Sequence, residues 1–539
     1  MKIDYLSIRS RFKNLENVCI NFDEEHLMTV IVGCNGSGKS NVLEALVAIF
    51  RNLDLGEPPP FSYELRYLLG EDSDAMWILV DADPKRGSLG AQYQIKVTQQ
   101  SSGKWAENVI PVSRVQRDKS GHAPYLPRYL FAYYSGPSDR LEQYFRKHRT
   151  DFYRKLLKNE VDLTGDIRPL FYAKPVHSQF VLLAFFLGME NDNERKFLLD
   201  EFGIEALDSV HFVMRKPDWA KKKGELFWGA SGVVREFLDE LYPHTLAPLK
   251  ITRNEEMSLT GKNIKNEFFH LFLQNADVLR KFANKMTPDV FFKMLESTLL
   301  SEIISEVSIR VRVKSSGDAL SFRELSEGEQ QLLTVLGLLK FTGGKDSLFL
   351  LDEPDTHINP LWAIKYLKML KTFVQNGNTS HLLMVTHHPL AIAELERGQV
   401  QVMSQDAVSH QVHAEPPAES PRGMGYAGIL TSDMFGLQST LDQPTEDLIR
   451  ARRSFLEKDA LTEDEKKRLA EIDKQIEVLG FTTAHWDSDY QEYLRARKKL
   501  DAKLFELSPV TPEIRRKRSA RALEILAKIK NKEVKGSLT

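Results

Sequence analysis

Residues 31–46, IVGCNGSGKSNVLEAL, constrain this chain more than any other stretch. Two β-branched residues lead into a turn containing Gly33, Gly36 and Gly38. Lys39 and Ser40 then open a run in which Val42, Leu43, Leu46 and Val47 recur at helical spacing. Upstream, Leu27 to Val32 (LMTVIV) reads as a buried strand. The stretch satisfies G-x-x-x-x-G-K-[ST] in the strand–turn–helix context that the pattern requires. Glycines let backbone N–H groups turn onto phosphates, and the helix N-terminus adds a favourable partial charge. Gly33, Asn35, Gly36, Ser37, Gly38, Lys39, Ser40 and Asn41 are therefore the candidate nucleotide-binding residues. Lys39 supplies a point charge to the β- and γ-phosphates, and Ser40 a hydroxyl for Mg²⁺. The bland alternative is a glycine turn that happens to carry a lysine.

A phosphate loop alone fits many nucleotide-dependent proteins, and later residues narrow the field. Leu325 to Leu333 (LSEGEQQLL) is a short polar turn with a glycine that runs into an amphipathic helix. Ser347 to Glu353 (SLFLLDE) is an apolar run ending in paired carboxylates, as a central parallel strand would, with its ligand end at the carboxylates. Asp352 is placed to hold the Mg²⁺ water shell, and Glu353 to orient or deprotonate an attacking water. Leu382 to His388 (LLMVTHH) reads as another buried strand, ending in Thr386 and His387. Each has a plainer reading: a solvated strand end for Asp352-Glu353, a core histidine for His387, and a helix N-cap for Ser326-Glu327-Gly328. Their joint occurrence in this order favours the nucleotide reading.

Composition sets the outer bounds. A chain of 539 residues exceeds what one core usually serves, so roughly two to four domains are expected. Hydrophobic content of 42% and charged content of 27% describe a globular protein, and the longest apolar run, Phe180 to Leu187, is too short to span a bilayer. The N-terminus lacks a signal-peptide core, and two cysteines, Cys19 and Cys34, have no metal-ligand spacing. A cytoplasmic protein without membrane contact is expected. The net charge of −2 gives no global field for nucleic acid, so any such contact must come from local patches.

The motifs resemble those of the ABC-type ATPase superfamily. GCNGSGKS is similar to Walker A, LSEGEQQ to the signature, LFLLDEP to Walker B and VTHH to the switch-histidine strand. The signature lacks the second glycine common in transporters. Asp355 to Pro360 (DTHINP) and the opening IRSRFKNLENVCINF resemble the branch of RecF-, SMC- and OLD-like ATPases. The resemblance implies an α/β fold: an ABC-type ATPase head, a P-loop fold of mixed sheet and flanking helices. It implies ATP and Mg²⁺ as cofactors, Glu353 and His387 as catalytic residues, and Ser40 and Asp352 at the metal. Two heads would sandwich two nucleotides, with Ser326, Gly328 and Glu329 of the signature reaching nucleotide held by the other subunit. A homodimer or higher even oligomer is then the minimum active unit. The glutamine that links nucleotide state to the insert stays open among Gln99, Gln100 and Gln143.

The remaining organisation follows from the spacing of these motifs. Residues 1–138 would be the N-terminal lobe of the head, with further strands at Met76 to Asp81, Gln92 to Val97 and Tyr129 to Tyr134. Residues 139–304 read as a helical insertion, too weak in heptads for a coiled-coil arm. Its segment Arg140 to Lys158 mixes basic and aromatic residues, either a phosphate-tracking surface or a solvated helix face. Residues 305–412 would be the C-terminal lobe, with a strand at Ser308 to Val313. Residues 413–439 would be a connector, and 440–539 a helical basic tail: Thr445 to Glu457, Glu463 to Val478, Ser488 to Leu507, and Glu513 to Lys535. In the tail, Leu469, Ile472, Ile476 and Leu479 form an apolar stripe that docks a partner, folds back on the head, or pairs two subunits.

The tail lacks the acidic cluster of a Toprim nuclease, and no HNH histidine constellation appears in the sequence. With its compact insert and FGLQST segment, the chain resembles the ATPase subunit of Septu-type and retron-associated anti-phage systems, which work with a separate HNH nuclease subunit. That resemblance implies an ATP-gated regulator that holds a nuclease, with a retron RNA–DNA hybrid or other nucleic acid as a further candidate partner. The alternatives are a RecF-like repair and recombination ATPase acting on DNA and, third, a transporter ATPase, which the residues after Walker B and the large helical insert disfavour.

Overall fold

The computed structural model describes residues 1–539 except 102–103, 119–120, 122, 162–168, 189–191, 221–224, 257–262, 315–317, 343, 375–376, 407, 459–460, 480–515, 518 and 525–539. By packing, the chain divides into two units, one of Met1–Ile31, Asn35–Ala391 and Met403–Glu415, and one of Val32–Cys34, Ile392–Val402 and Pro416–Thr539. The chain begins with β1 (Lys2–Ile8), β2 (Val18–Asn21), β3 (Met28–Gly33), α1 (Lys39–Leu55), β4 (Tyr63–Leu69), β5 (Met76–Ala82), α2 (Leu89–Gln92), β6 (Tyr93–Ser101), β7 (Lys104–Ile110) and β8 (Tyr129–Tyr134). There follow α3 (Arg146–Leu157), β9 (Leu170–Tyr172), α4 (His177–Leu187), α5 (Asp192–Phe202), β10 (Ile204–Arg215), α6 (Gly232–Leu241), β11 (Leu249–Glu256), β12 (Asn263–Leu273), α7 (Ala276–Phe282), α8 (Pro288–Leu300) and β13 (Ile304–Val313). Last come β14 (Ala319–Ser321), α9 (Glu327–Thr342), β15 (Ser347–Asp352), α10 (Pro360–Phe373), β16 (His381–Val385), β17 (Val400–Gln405), β18 (Val412–Glu415), α11 (Gly425–Thr431), α12 (Gln443–Leu456) and α13 (Glu463–Val478).

The architecture is α/β. In the first unit residues Met28–Ile31 of β3, with β16, β15 and β8, are parallel neighbours, and every residue of that stretch, of β15 and of β16 is buried, as fully covered parallel strands require. The register pairs Asp352 with both Val385 and Tyr134, and Val385 with Ile31. The C-terminal ends of these strands therefore line up at one edge of the sheet, where ligands bind in open α/β sheets. A separate antiparallel sheet of order β2-β1-β4-β5-β6-β7 alternates buried and part-exposed residues, and α1 packs its apolar face into the same core.

The segment expected to be a helical insertion also contains strand. Helices α3 to α8 are present, but β10, β11 and β12 join β13 and β14 in an antiparallel sheet of order β11-β12-β10-β13-β14. In EFFHLFL, Phe268, Phe269, Leu271 and Leu273 are all buried, so apolar side chains occupy both faces and the two-residue alternation disappears from the sequence. Helix α4 is apolar all round because it is covered all round: Phe180 to Phe186 are wholly buried among neighbours that include α8 and α9. A Cβ at Gly337 of α9 would lie 2.0 Å from Val181 Cγ1, so only glycine permits that approach.

In the second unit α12 and α13 pack on each other. Asp442 caps α12, a Thr462–Glu465 capping box opens α13, and Arg452 Nε meets Asp473 Oδ1 at 2.6 Å. Of the apolar stripe, Ile476 is buried and Leu479 is 52% exposed. The expected helix at Ser488 to Leu507 lies outside the described residues, as does most of the basic end. No helix among the described residues is long and apolar enough to cross a membrane.

Candidate nucleotide site

The glycine turn has the backbone its sequence demands. Gly33, Gly36 and Gly38 all have positive φ, at 140°, 83° and 94°. Gly38 also has no room for a side chain, because a Cβ there would lie 2.8 Å from both Asn14 Oδ1 and Leu15 Cδ2. Asn14 holds the turn from outside: its Nδ2 donates to the Gly36 carbonyl at 2.9 Å and its Oδ1 accepts from Asn41 Nδ2 at 2.7 Å. Helix α1 starts at Lys39 with no side-chain cap and no acidic residue in its first turn. Its end is thus suited to an anion. The Ser37 hydroxyl is buried without a hydrogen-bond partner, a donor that a phosphate oxygen would satisfy.

Strand β15 delivers the carboxylates to this loop. Asp352 is buried, and the Ser40 hydroxyl donates to its Oδ1 at 2.8 Å across 312 residues of sequence. Its Oδ2 accepts from Arg140 Nη2 at 2.6 Å. Burial pushes the Asp352 carboxyl up to about 6; Arg140 and the Ser40 hydrogen bond oppose the rise, and Glu353 adds to it.

Glu353 follows in a left-handed conformation, φ 52°, uncommon for a residue with a Cβ. Hydrogen bonds from both sides hold it there. Its N–H donates to the Val385 carbonyl at 2.9 Å, and its own carbonyl accepts from Thr356 Oγ1 at 2.9 Å and Gln331 Nε2 at 3.2 Å. Backbone held in this way is characteristic of functional sites. The Glu353 side chain comes within 3.5 Å of His387 Nε2. The His387 pKa is lowered by burial and by Lys39, with Glu353 opposing.

The signature turn is built into the same region of the first unit. Ser326 and Glu329 form a capping box at the start of α9: Ser326 Oγ donates to Glu329 Oε2 at 2.8 Å, and the Glu329 N–H donates back to Ser326 Oγ at 3.3 Å. The helix-cap reading of Ser326 therefore describes its local role. Gly328 packs against the His357 backbone, and Gln331 bridges that segment by accepting from the His357 N–H at 3.2 Å. The contacts described for Ser326 and Gly328 thus run to their own helix and to the loop after Asp352.

Several site residues were not read from the sequence. Arg140, at the head of the basic run, turns inward onto Asp352. Other cations of that run pair with carboxylates: Arg146 with Asp139, Lys147 with Glu57, Arg149 with Glu142 and Arg154 with Asp151. Asp355 is buried and accepts from Thr386 Oγ1 at 2.7 Å, and burial pushes its carboxyl up to about 6. Of the open glutamines, Gln99 lies on β6, and Gln143 Nε2 donates to the Arg140 carbonyl at 2.8 Å.

Family comparisons cover both halves of this site. Residues 1–101 match the family "AAA ATPase domain", and residues 210–393 match "AAA domain, putative AbiEii toxin, Type IV TA system". A Septu protein PtuA from Bacillus mycoides (strain KBAB4) is 25% identical over 164 residues, 29% of this chain and 23% of that protein. A "Putative ABC transporter ATP-binding protein" from Methanothermobacter marburgensis is 24% identical over 205 residues, 38% of this chain and 71% of that protein. An SMC head domain from Thermotoga maritima superposes on 77% of this chain and 99% of its own length with 13% identity and a TM-score of 0.31. The two family segments carry the glycine loop, the signature turn, Asp352-Glu353 and His387. The chain thus carries segments that match ATPase-domain families on both halves of the site, and it is similar in part to a Septu protein PtuA and to an ABC transporter ATP-binding protein.

Proposed function

We propose that the chain is an ATP-binding and ATP-hydrolysing regulatory subunit of an anti-phage defence complex, acting in the cytoplasm and controlling a separate HNH-type nuclease through ATP-dependent dimerisation of its heads. The observation that carries the ATPase half is the Ser40–Asp352 hydrogen bond, which joins the glycine loop to the carboxylate strand at 2.8 Å. The defence half is supported by the likeness to a Septu protein and by the lack of nuclease motifs in this sequence.

The donor set fits Mg²⁺. A hydroxyl and a carboxylate are hard oxygen ligands, and Mg²⁺ commonly takes one or two such protein groups together with nucleotide phosphates and waters. Bound there by Ser40 and Asp352, it would neutralise phosphate charge. Lys39 and the N–H groups of the loop and α1 would hold the phosphates. Glu353, fixed by its backbone contacts, would orient the attacking water, and His387, held largely neutral by its surroundings, would contact the γ-phosphate or that water. Ser326, Gly328 and Glu329 would complete the site of the opposite subunit, the start of α9 presenting its positive end. In this reading residues 1–138 and 305–412 form the head, 139–304 the insertion, 413–439 a connector, and 440–539 the nuclease-docking tail. A retron RNA–DNA hybrid is a further partner class for the helical surfaces.

The test is co-purification with an HNH nuclease encoded beside the gene, followed by nuclease assays as ATP is supplied and depleted. A complex that is silent with ATP and active after depletion is expected. A nuclease that neither co-purifies nor responds to nucleotide would overturn the regulatory assignment.

A further inference from the structure

Arg140 lies between two buried carboxylates and is fully seated on only one of them. Its Nη2 donates to Asp352 Oδ2 at 2.6 Å, and its guanidinium stacks 4.5 Å from the centre of the Tyr134 ring. Its Nε is 3.7 Å from Glu44 Oε1, beyond hydrogen-bond length, and both atoms are buried without any hydrogen-bond partner. Such facing orphans are costly, and a small movement of the guanidinium would satisfy them together. Glu44 is 1% exposed on α1, in the second turn after the glycine loop, and Lys13 also pairs with it.

The segment that carries Arg140 opens the insertion. Gln143 donates to the Arg140 carbonyl, Leu141 and Phe145 are buried, and Phe145 packs 5.7 Å from Tyr172. A displacement of the guanidinium therefore pulls on a packed segment that continues directly into α3.

We propose that Arg140 is a transferable counter-ion of the nucleotide site: it neutralises Asp352 when no divalent cation is there and passes to Glu44 when the cation arrives, so that residues 139–145 report the state of the site to the insertion. The inference rests on the nucleotide-site reading. A guanidinium on Asp352 opposes a second cation at the same carboxylate, and Glu44 provides a seat that lowers the cost of leaving.

The test is a Mg²⁺ titration of fluorescent ATP-analogue binding, at mildly alkaline pH, with full-length protein. Arg140→Ala removes the competitor and should lower the Mg²⁺ needed for half-saturation roughly tenfold. Glu44→Gln removes the second seat and should raise it severalfold. Simple electrostatics predicts those same signs, so the decisive protein is the double variant. If Glu44 acts through Arg140, Glu44→Gln has no effect in the Arg140→Ala background. Additive effects, or single variants that shift the same way, would overturn the transfer. Amide exchange over residues 139–157 should change on adding Mg²⁺ and a non-hydrolysable analogue in the wild type but not in Glu44→Gln. A wild type that binds the analogue shows the nucleotide reading intact whatever the variants do; one that does not bind overturns both.

Discussion

A Cβ at Gly328 would lie 2.3 Å from the carbonyl oxygen of His357, so the signature turn and the loop after Asp352 are in backbone contact that only glycine allows. Neither atom can retreat by rotating a side chain. Gly328→Ala should lower stability by about 1–3 kcal/mol and displace the turn. ATP hydrolysis should fall severely while nucleotide binding by the isolated subunit is retained, as measured by thermal melts, fluorescent-nucleotide titration and phosphate release. Wild-type turnover in the alanine protein would show that this contact does not position the signature.

Sharing of the signature between subunits is tested by complementation. Lys39→Ala removes the phosphate-facing charge, and Ser326→Ala removes a hydroxyl at the α9 cap, at a cost of about 1 kcal/mol to that helix. Each protein alone should be inactive. In an equal mixture, dimers that combine the two carry one doubly defective and one intact site, so roughly a quarter of wild-type activity should return. No recovery, with mixed dimers verified by mass, would mean that the motif works within one chain.

Asp355 makes stability depend on pH. Its folded pKa, about 6, exceeds the ordinary value of 3.8, so stability falls as pH rises from 3.8 to about 6, where the unfolded chain gives up the proton before the folded one, and the loss is complete above about 6. The cost is on the order of 3 kcal/mol. Asp355→Asn should therefore gain on the wild type as pH rises through this range and lose that advantage towards 3.8. Chemical denaturation of both proteins across the range measures it. A difference that does not vary with pH would place the Asp355 pKa near its ordinary value.

Much of the secondary structure around the candidate site is legible because its signals are local. Tyr129–Tyr134 and Glu463–Val478 were expected with the bounds observed, and Ser347–Asp352 ends one residue sooner than its apolar run suggested. Burial on every side makes β3, β15 and β16 conspicuous as runs. Arg140 was not legible, because pairing with a carboxylate 212 residues away leaves no local trace and an arginine in a basic run reads as solvated. Strand β12 was hidden in the opposite way: apolar residues on both faces, buried Phe268 and exposed Phe272 opposite Phe269, Leu271 and Leu273, erased the alternation that marks a strand. The left-handed Glu353 could not be foreseen either, since two of its stabilising partners, Val385 and Gln331, lie far from it in sequence and meet it only in the folded chain.

The tail is predicted to dock the nuclease. Ile476 is buried, while Val478 and Leu479 at the end of α13 are 81% and 52% exposed. Deleting residues from Thr440 onward should leave a nucleotide-binding head that no longer co-purifies with the nuclease. Retention of the partner at full stoichiometry would move the docking surface to the insertion.

The central claim is that Glu353 activates water at an ATP site shared by two heads, and Glu353→Gln tests it most directly. The substitution preserves shape and removes only the charge. The variant should bind ATP with wild-type affinity, lose turnover by at least roughly a hundredfold, and accumulate as an ATP-bound dimer visible by light scattering. Wild-type turnover in Glu353→Gln, or an ATP-saturated variant that stays monomeric, would contradict the account.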